Sequence, residues 1–388
     1  MIFKLSGIVV AVALGASAWL TGWAATQEMS VPAWQQAEPG YSFAFPADHA
    51  SHPAYRVEWW YYTGNLKSFD GHSFGYQLTF FRVGIDREPL NPSPRAVRDL
   101  YMAHLAVTDV RGERHLVAER LNRTGVGWAG ASVETFKVWN EEWSVSLDGT
   151  THVATAYDRV DQFGVDLRLE PTKPPVLHGV DGFSQKGSQI GNASQYYSLT
   201  GLRTTGRILL DGRSIDVEGV SWMDHEFGTS FLEAGQQGWD WFSLQLDDQT
   251  ELMVYVLRQQ DGSIDQHSGG TLIDPTGKAT VLQAGDYGLR SGRTWTSAAS
   301  DAEYPVEWEI DIPSQAMFLN VRAVLDGQEL HTDESTGVTY WEGAVVATGI
   351  RNGRPLQGRV VRWISVRFVN RVRAVGFDMG CTASRRCR

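Results

Sequence analysis

The chain has 388 residues, a formal net charge of −11, and 42% apolar and 11% aromatic residues, including 15 Trp. That length suits two cores rather than one. The acidic balance excludes nucleic acid as a partner, because phosphate binding needs a basic face. Only two cysteines are present, Cys381 and Cys387, so neither a disulfide framework nor a cysteine-based metal site can be built through the body.

The chain begins with Lys4, an apolar run from Ser6 to Leu20, and small residues around Gly22, Ala24 and Ala25. This order predicts an export signal over 1–25, too short for a membrane span. Trp23 stands where a lipoprotein signal would carry its acylated cysteine. The expected product is therefore periplasmic or secreted.

Beyond the signal, helical periodicity is scarce and strand patterns dominate. The runs Phe74 to Ile85, His104 to Val110, Trp143 to Gly149, Val165 to Pro171, Arg207 to Trp222, Trp241 to Arg258 and Tyr304 to Pro313 alternate or are β-branched. Asp-Gly pairs at 70–71, 148–149, 211–212, 261–262 and 326–327 predict hairpin turns, since glycine accepts positive φ. Pro89 to Arg98 reads as a surface loop. Pro171 to Asn192 reads as a long loop, functional or mobile. A break near Ser230 to Gly238 divides an N-terminal domain, 38–232, from a C-terminal one, 233–370. A basic tail follows over 371–388; from Arg351 onward ten arginines face one acid, Asp378.

The stretch "GVSWMDHEFG", Gly219 to Gly228, carries the densest chemistry. As a strand it puts Val220, Trp222, Asp224 and Glu226 on one face, and Met223, His225 and Phe227 on the other. Thr229 breaks any H-E-x-x-H reading, and no metal site is expected. A carboxyl beside an indole loses solvation, its pKa rises, and it becomes a general acid. The competing reading is an ionised Asp224 fastened to backbone amides. In "RVEWWYYTGNL", Glu58, Trp60 and Tyr62 share a face, with Arg56 or Arg82 available to answer Glu58. "SQYYSLTGL" places Gln195 and Tyr197 together, and His104 lies in "YMAHLAVTD". A face led by Val and Trp predicts that Asp224 points into the N-terminal domain's cavity, with Gln195, Tyr197 or Glu58 as its partner.

These stretches, with "AHLAVTD", "LHGVDGFSQKG", "GWDWFSLQLDDQTELMVYVLR" and "YWEGAVVATG", resemble the AttH/CrtC family of lipocalin-like proteins, which includes carotenoid 1,2-hydratases. The resemblance implies an all-β chain of two tandem lipocalin-like (calycin-type) β-barrel or sandwich domains with an apolar cavity. It implies a hydratase that needs no cofactor, with Asp224 as the acid. The family's Tyr-x-Asp-His motif has Trp222 in the Tyr place here, and its His-x-Trp is Gln195-Tyr-Tyr197. The expected ligand is an apolar isoprenoid or lipid, touched by Trp222, Gln195, Tyr197, Glu58, Trp60, Tyr62 and His104. The alternative is a non-catalytic carrier, associated like exported family members with ABC-type export systems. The last segment, "VVRWISVRFVNRVRAVGFDMG", departs from the family's closing Gly-Tyr strand and reads either as a basic edge strand or as the product of a shifted reading frame.

Overall fold

A computed structural model describes residues 33–230, 233 and 235–367, with backbone alone at Ser230 and over 359–367. The expected export signal over 1–25 and the basic tail over 371–388 lie outside the described residues. Apart from two single-turn 3-10 segments, the described regular elements are strands. The first strands are β1 (Val57–Ser68), β2 (Ser73–Gly84), β3 (Asp99–Asp109), β4 (Arg114–Arg123), β5 (Ala129–Ala131), β6 (Lys137–Asn140) and β7 (Trp143–Asp148). Then come β8 (Thr151–Asp158), β9 (Phe163–Pro171), β10 (Val176–Leu177), β11 (Phe183–Gln185), β12 (Ala193–Leu210) and β13 (Arg213–Ser230). Their order is β4-β3-β2-β1-β13-β12-β9-β8-β7-β6-β5, with β10 and β11 paired on β12.

The two ends of this sheet meet. Asn122 on β4 donates to Asn140 Oδ1 on β6 at 2.8 Å, and Arg120 reaches Glu141 at 3.2 Å. The sheet is thus a nearly closed barrel, which leaves little edge for pairing with other chains. Its interior is packed with apolar side chains such as Leu78, Phe80, Leu105, Leu167 and Met223.

A second antiparallel sheet follows, from β14 (Gln236–Leu246), β15 (Glu251–Gln259), β16 (Gly269–Ile273), β17 (Ala279–Gln283) and β18 (Gly288–Ser291). A ribbon of β19 (Thr294–Thr296) and β20 (Glu303–Pro305) interrupts it. The sheet is completed by β21 (Glu307–Ile312), β22 (Met317–Ala323), β23 (Glu329–Thr332), β24 (Val338–Arg351) and β25 (Arg354–Arg367). Its order is β17-β16-β15-β14-β25-β24-β22-β21-β18, with β23 on β24. The fold is all-β and lipocalin-like, as the strand patterns and the resemblance indicated.

Turn chemistry accounts for much of the register. Asp211 and Gly212 both have positive φ, 51° and 72°, and close the long β12–β13 hairpin. Asp70-Gly71 and Asp148-Gly149 likewise join paired strands. Asp326-Gly327 does not: it links β22 to β23, which pair with β24 rather than with each other. The segment 171–192 is not a free loop, because β10 and β11 within it hydrogen-bond to β12. Nor is β25 an edge strand; its backbone pairs with β14 on one side and β24 on the other.

The second sheet covers the outside of the barrel along β1, β12 and β13. A separate aromatic cluster fills this seam, with Tyr61, Tyr196 and Trp222 from the barrel and Trp241, Met253 and Tyr255 from the second sheet. Hydrogen bonds cross it from Tyr61 to Glu342 (2.8 Å), between His104 Nδ1 and Tyr340 (2.8 Å), from Thr108 to Gln328 (3.0 Å) and between His178 Nδ1 and Thr271 (2.9 Å).

Candidate functional site

"GVSWMDHEFG" is the second half of β13, in the middle of the first sheet, and its two faces lead to different places. His225, Met223 and Phe227 point to the barrel side. Asp224, Trp222 and Glu226 point to the seam. The expectation that Asp224 lies inside the barrel is therefore corrected. The Val-and-Trp face is apolar because a second sheet covers it around Trp222; Val220, beyond that cover, is 44% exposed.

Asp224 is 4% exposed, and all three of its described hydrogen bonds end on Oδ1. Trp222 Nε1 donates at 2.9 Å and Tyr196 Oη at 3.0 Å, and the Ser198 hydroxyl donates as well. Among the described residues Oδ2 receives none. Burial pushes the carboxyl up to about 7, against those donors and with the nearby Glu226 charge adding to the rise. The partners are Tyr196 and Ser198, not Gln195 and Tyr197. The antiparallel register pairs Ser198 with Asp224 and Tyr196 with Glu226, so the even-numbered residues of β12 share Asp224's face.

Further groups hold this carboxyl in place. His178, from the 171–192 segment, is wholly buried, and burial, reinforced by Lys186, pushes its pKa down to about 3. Neutral His178 accepts from Thr271 through Nδ1 and donates to Ser198 Oγ through Nε2 at 2.6 Å, which aims the Ser198 proton at Asp224. Trp241 Nε1 reaches Tyr196 Oη at 3.3 Å. Lys186 pairs with Glu226 at 3.1 Å, over the rings of Tyr196 and Tyr255.

The other face gathers the remaining predicted residues. Glu58, Trp60, Tyr62 and Tyr197 are fully buried at one end of the barrel. Glu58 Oε1 meets His225 Nε2 at 3.0 Å and His52 Nδ1 at 2.9 Å, while Oε2 accepts from Arg82 Nε at 3.0 Å and Ser51 Oγ at 2.7 Å. Burial alone would raise this carboxyl, but Arg82 and the two imidazoles outweigh it and hold Glu58 well below the carboxylate range. Of the two arginines named for Glu58, Arg82 is the partner. His52, Glu58 and His225 offer ligand atoms within 4.8 Å of one another, a spacing that could hold a metal ion. Their lone pairs are already engaged by hydrogen bonds and by Arg82, which makes the trio self-sufficient as an acid–base cluster.

Gln195 lies toward the barrel end, with Nε2 on Glu38 O at 2.8 Å. His104 belongs to neither cluster: it faces the seam elsewhere, bonded to Tyr340 and to Ser335 at 2.9 Å, and burial pushes its pKa down to about 3. The expected apolar cavity is not where Trp60, Tyr62 and Tyr197 stand, because these rings pack into the barrel core itself. Two surface clefts, of about 550 and 560 Å³, lie beside Arg293 and Asp326 and beside Asp247 and Arg351, and none of the predicted residues lines them. Sequence reading missed Tyr196, Ser198, His178 and Trp241 around Asp224, and Asp48, His49, His52 and His152 at the barrel end. The spacing Asp48-His49 and His52, just ahead of "RVEWW", was the available signal.

A two-sheet lipocalin-like chain with a buried acid in an aromatic seam defines the class. The chain belongs to the AttH-like family, whose model matches residues 36–356. It is similar to the kievitone hydratase of Fusarium solani subsp. phaseoli, 25% identical over 208 residues, 52% of this chain and 57% of that protein. It is also similar to the dehydratase asqC of Emericella nidulans, 24% identical over 206 residues, 50% of this chain and 55% of that one. The chain thus spans little more than half the length of these curated relatives. Among solved structures, one assigned as AttH from Nitrosomonas europaea matches with a TM-score of 0.76 at 30% identity, over 86% of this chain and 99% of that one. Kievitone hydratase from Nectria haematococca shares the fold, with a TM-score of 0.66 at 14% identity over 84% and 93% of the two chains.

Proposed function

We propose that the chain is a hydro-lyase, a hydratase or dehydratase, that uses Asp224 as its acid on an apolar ligand in the seam. The observation that carries this reading is the placement of Asp224: buried among Trp222, Tyr196 and Trp241, with Oδ1 held by three donors and Oδ2 left to exchange a proton. In hydration, Oδ2–H protonates one alkene carbon, water bonds to the other, and the water's spare proton returns to the carboxylate. In dehydration the same carboxyl protonates the leaving hydroxyl and takes the adjacent C–H proton. A carboxyl near neutral pKa serves both directions. The faces of Trp222, Trp241 and Tyr61 favour the cationic carbon between the two bonds. A hydratase and a dehydratase among the relatives fit one such acid run in opposite directions.

We infer an isoprenoid chain as the ligand class, since the lining is aromatic and apolar, and an activity outside the cytoplasm, a reading supported by the signal-like order of residues 1–25. The test is incubation of the protein with kievitone and with simple trisubstituted alkenes in ¹⁸O water. Labelled alcohol should form with the wild type, and Asp224→Asn should lower its rate at least a hundredfold while ligand binding persists. Tight binding with no labelled product in either protein would instead establish a carrier.

A further inference from the structure

Two buried charges stand beside Asp224, and the proton transfer assigned to it uses neither. Glu226 is 5% exposed and lies two residues along β13 on the same face, roughly 7 Å from Asp224 by strand rise. His225, between them in sequence, points to the other side of the sheet. The Lys186 ammonium pairs with Glu226 Oε1 at 3.1 Å and sits over the rings of Tyr196 and Tyr255, 5.0 and 4.5 Å from their centroids. The Ser194 hydroxyl donates to the same oxygen. Tyr196 connects the pair to the acid, since its ring carries the ammonium and its hydroxyl donates to Asp224 Oδ1 at 3.0 Å. Burying two charges costs desolvation, and a well-packed apolar pair would often hold a fold as well. What an apolar pair could not do is act on the charge of Asp224.

Among the described residues, the other titratable groups around Asp224 are accounted for. Tyr61 on β1, opposite Asp224 in the register, donates its hydroxyl to Glu342 on β24 at 2.8 Å. Tyr196 on β12 keeps its proton, because burial raises its pKa well above the ordinary value. His178, behind Ser198, is neutral, its pKa pushed down to about 3 by burial and then by Lys186. From β15, Tyr255 donates to the His267 carbonyl at 3.1 Å. Asp265 lies behind Lys186, paired with His267 and accepting from Gln236, which also donates to the Lys186 carbonyl. Glu226 and Lys186 remain as charges of opposite sign that act on the acid. Burial raises Asp224 and Glu226 adds to the rise, while Lys186 is held above its ordinary value, against burial, by Glu226 first and then by Tyr255 and Asp224.

We propose that Glu226 and Lys186 are positioning residues for Asp224: the Glu226 carboxylate opposes the charge of ionised Asp224, the Lys186 ammonium offsets it, and the balance sets the pH at which the acid gives up its proton. The proposal rests on the reading of Asp224 as the acid of a hydro-lyase. In that reaction Asp224 is a carboxylate between its two proton transfers, on the same face as Glu226. Lys186 supplies the counter-charge that lets both carboxylates stand there, and Glu226 draws the proton back to Asp224 when the cycle closes. Removing Glu226 leaves the ammonium alone, which favours ionised Asp224. Removing Lys186 leaves the carboxylate alone, which disfavours it. Packing by itself would not give two effects of opposite sign.

The test titrates the full chain carrying ¹³C-labelled aspartate and glutamate carboxyls, with the Asp224 and Glu226 signals assigned by their loss in Asp224→Asn and Glu226→Gln. Glu226→Gln should lower the Asp224 midpoint and Lys186→Met should raise it, each by roughly one pH unit. The two substitutions in one chain should return the midpoint close to the wild-type value. The alkaline limb of the rate of labelled alcohol formation should move in the same directions. In the wild type, the Glu226 signal should inflect at the Asp224 midpoint, a measurement that needs neither variant to fold. An unmoved midpoint, shifts of the same sign in the two single variants, or a Glu226 signal without that inflection would overturn the proposal. Opposite midpoint shifts with no product from any of the proteins would uphold the charge balance and count against the hydro-lyase reading alone.

Discussion

Asp224 and Glu58 are both buried carboxyls on adjacent strands, and their surroundings drive them apart. Glu58 has a guanidinium and two imidazoles and stays ionised; Asp224 has neutral donors and an acidic neighbour, and its pKa rises to about 7. The folded protein therefore binds a proton at Asp224 that the unfolded chain has released above the ordinary carboxyl pKa of 3.8. Stability consequently falls as pH rises from that value to about 7. Asp224→Asn removes this term. Its stability relative to the wild type should improve by roughly 3 kcal/mol between pH 5 and pH 8, as read by urea unfolding at the two pH values. Product formation by the wild type should decline above about pH 7, as the acid form is titrated away. Arg82→Met should behave in the opposite sense to a conservative surface change. It strands the Glu58 charge and should cost about 3–5 kcal/mol by denaturant midpoint, with Glu58→Gln added in the same chain restoring part of the loss.

At the scale of elements, the two faces of β12 and β13 do different work with the same backbone. One face feeds the seam through Tyr196, Ser198, Trp222 and Asp224, and the other feeds the barrel end through Tyr197 and His225. A one-residue slip would exchange the sets, so the register must be tightly held. The Asp211-Gly212 turn and the β10 and β11 pairings fix it. His178 ties this hairpin to β16 through Thr271. Thr271→Val keeps the shape but removes the hydroxyl that His178 accepts from. It should lower the unfolding free energy by about 1 kcal/mol without altering the fold, as measured by equilibrium denaturation and far-ultraviolet circular dichroism. The alternation of these strands was legible from residue order alone. Their partners were not: Gln195 and Tyr197 looked like neighbours of Asp224 only because the offset between β12 and β13 cannot be read without the turn that sets it.

At the scale of the molecule, the barrel and the second sheet are bound by an apolar aromatic seam and by hydrogen bonds between buried groups. Separating them would expose Trp222, Trp241 and Tyr196 together, each buried aromatic contributing about 1.5–3 kcal/mol. The described chain from Ala33 on forms one compact unit. Calorimetry should accordingly show a single cooperative transition. Two resolved transitions would show that the seam contributes little to the stability of either sheet.

The residues by themselves determined that this chain is all-β, that Asp-Gly pairs close its principal hairpins, and that Asp224 has an indole beside it and His225 behind it. These are consequences of local chemistry: period-two alternation, positive φ at glycine, and the reach of one side chain to the next but one. Only the tertiary structure decided which face of β13 looks into the barrel. Both faces are apolar enough to be buried, and the second sheet covers one while the barrel encloses the other. It also decided that His49, His52, His152 and His225, scattered over 177 positions of chain, converge on Tyr197 and Glu58. Closing a barrel brings distant strands together at its ends, and no local pattern in the sequence records where those ends meet.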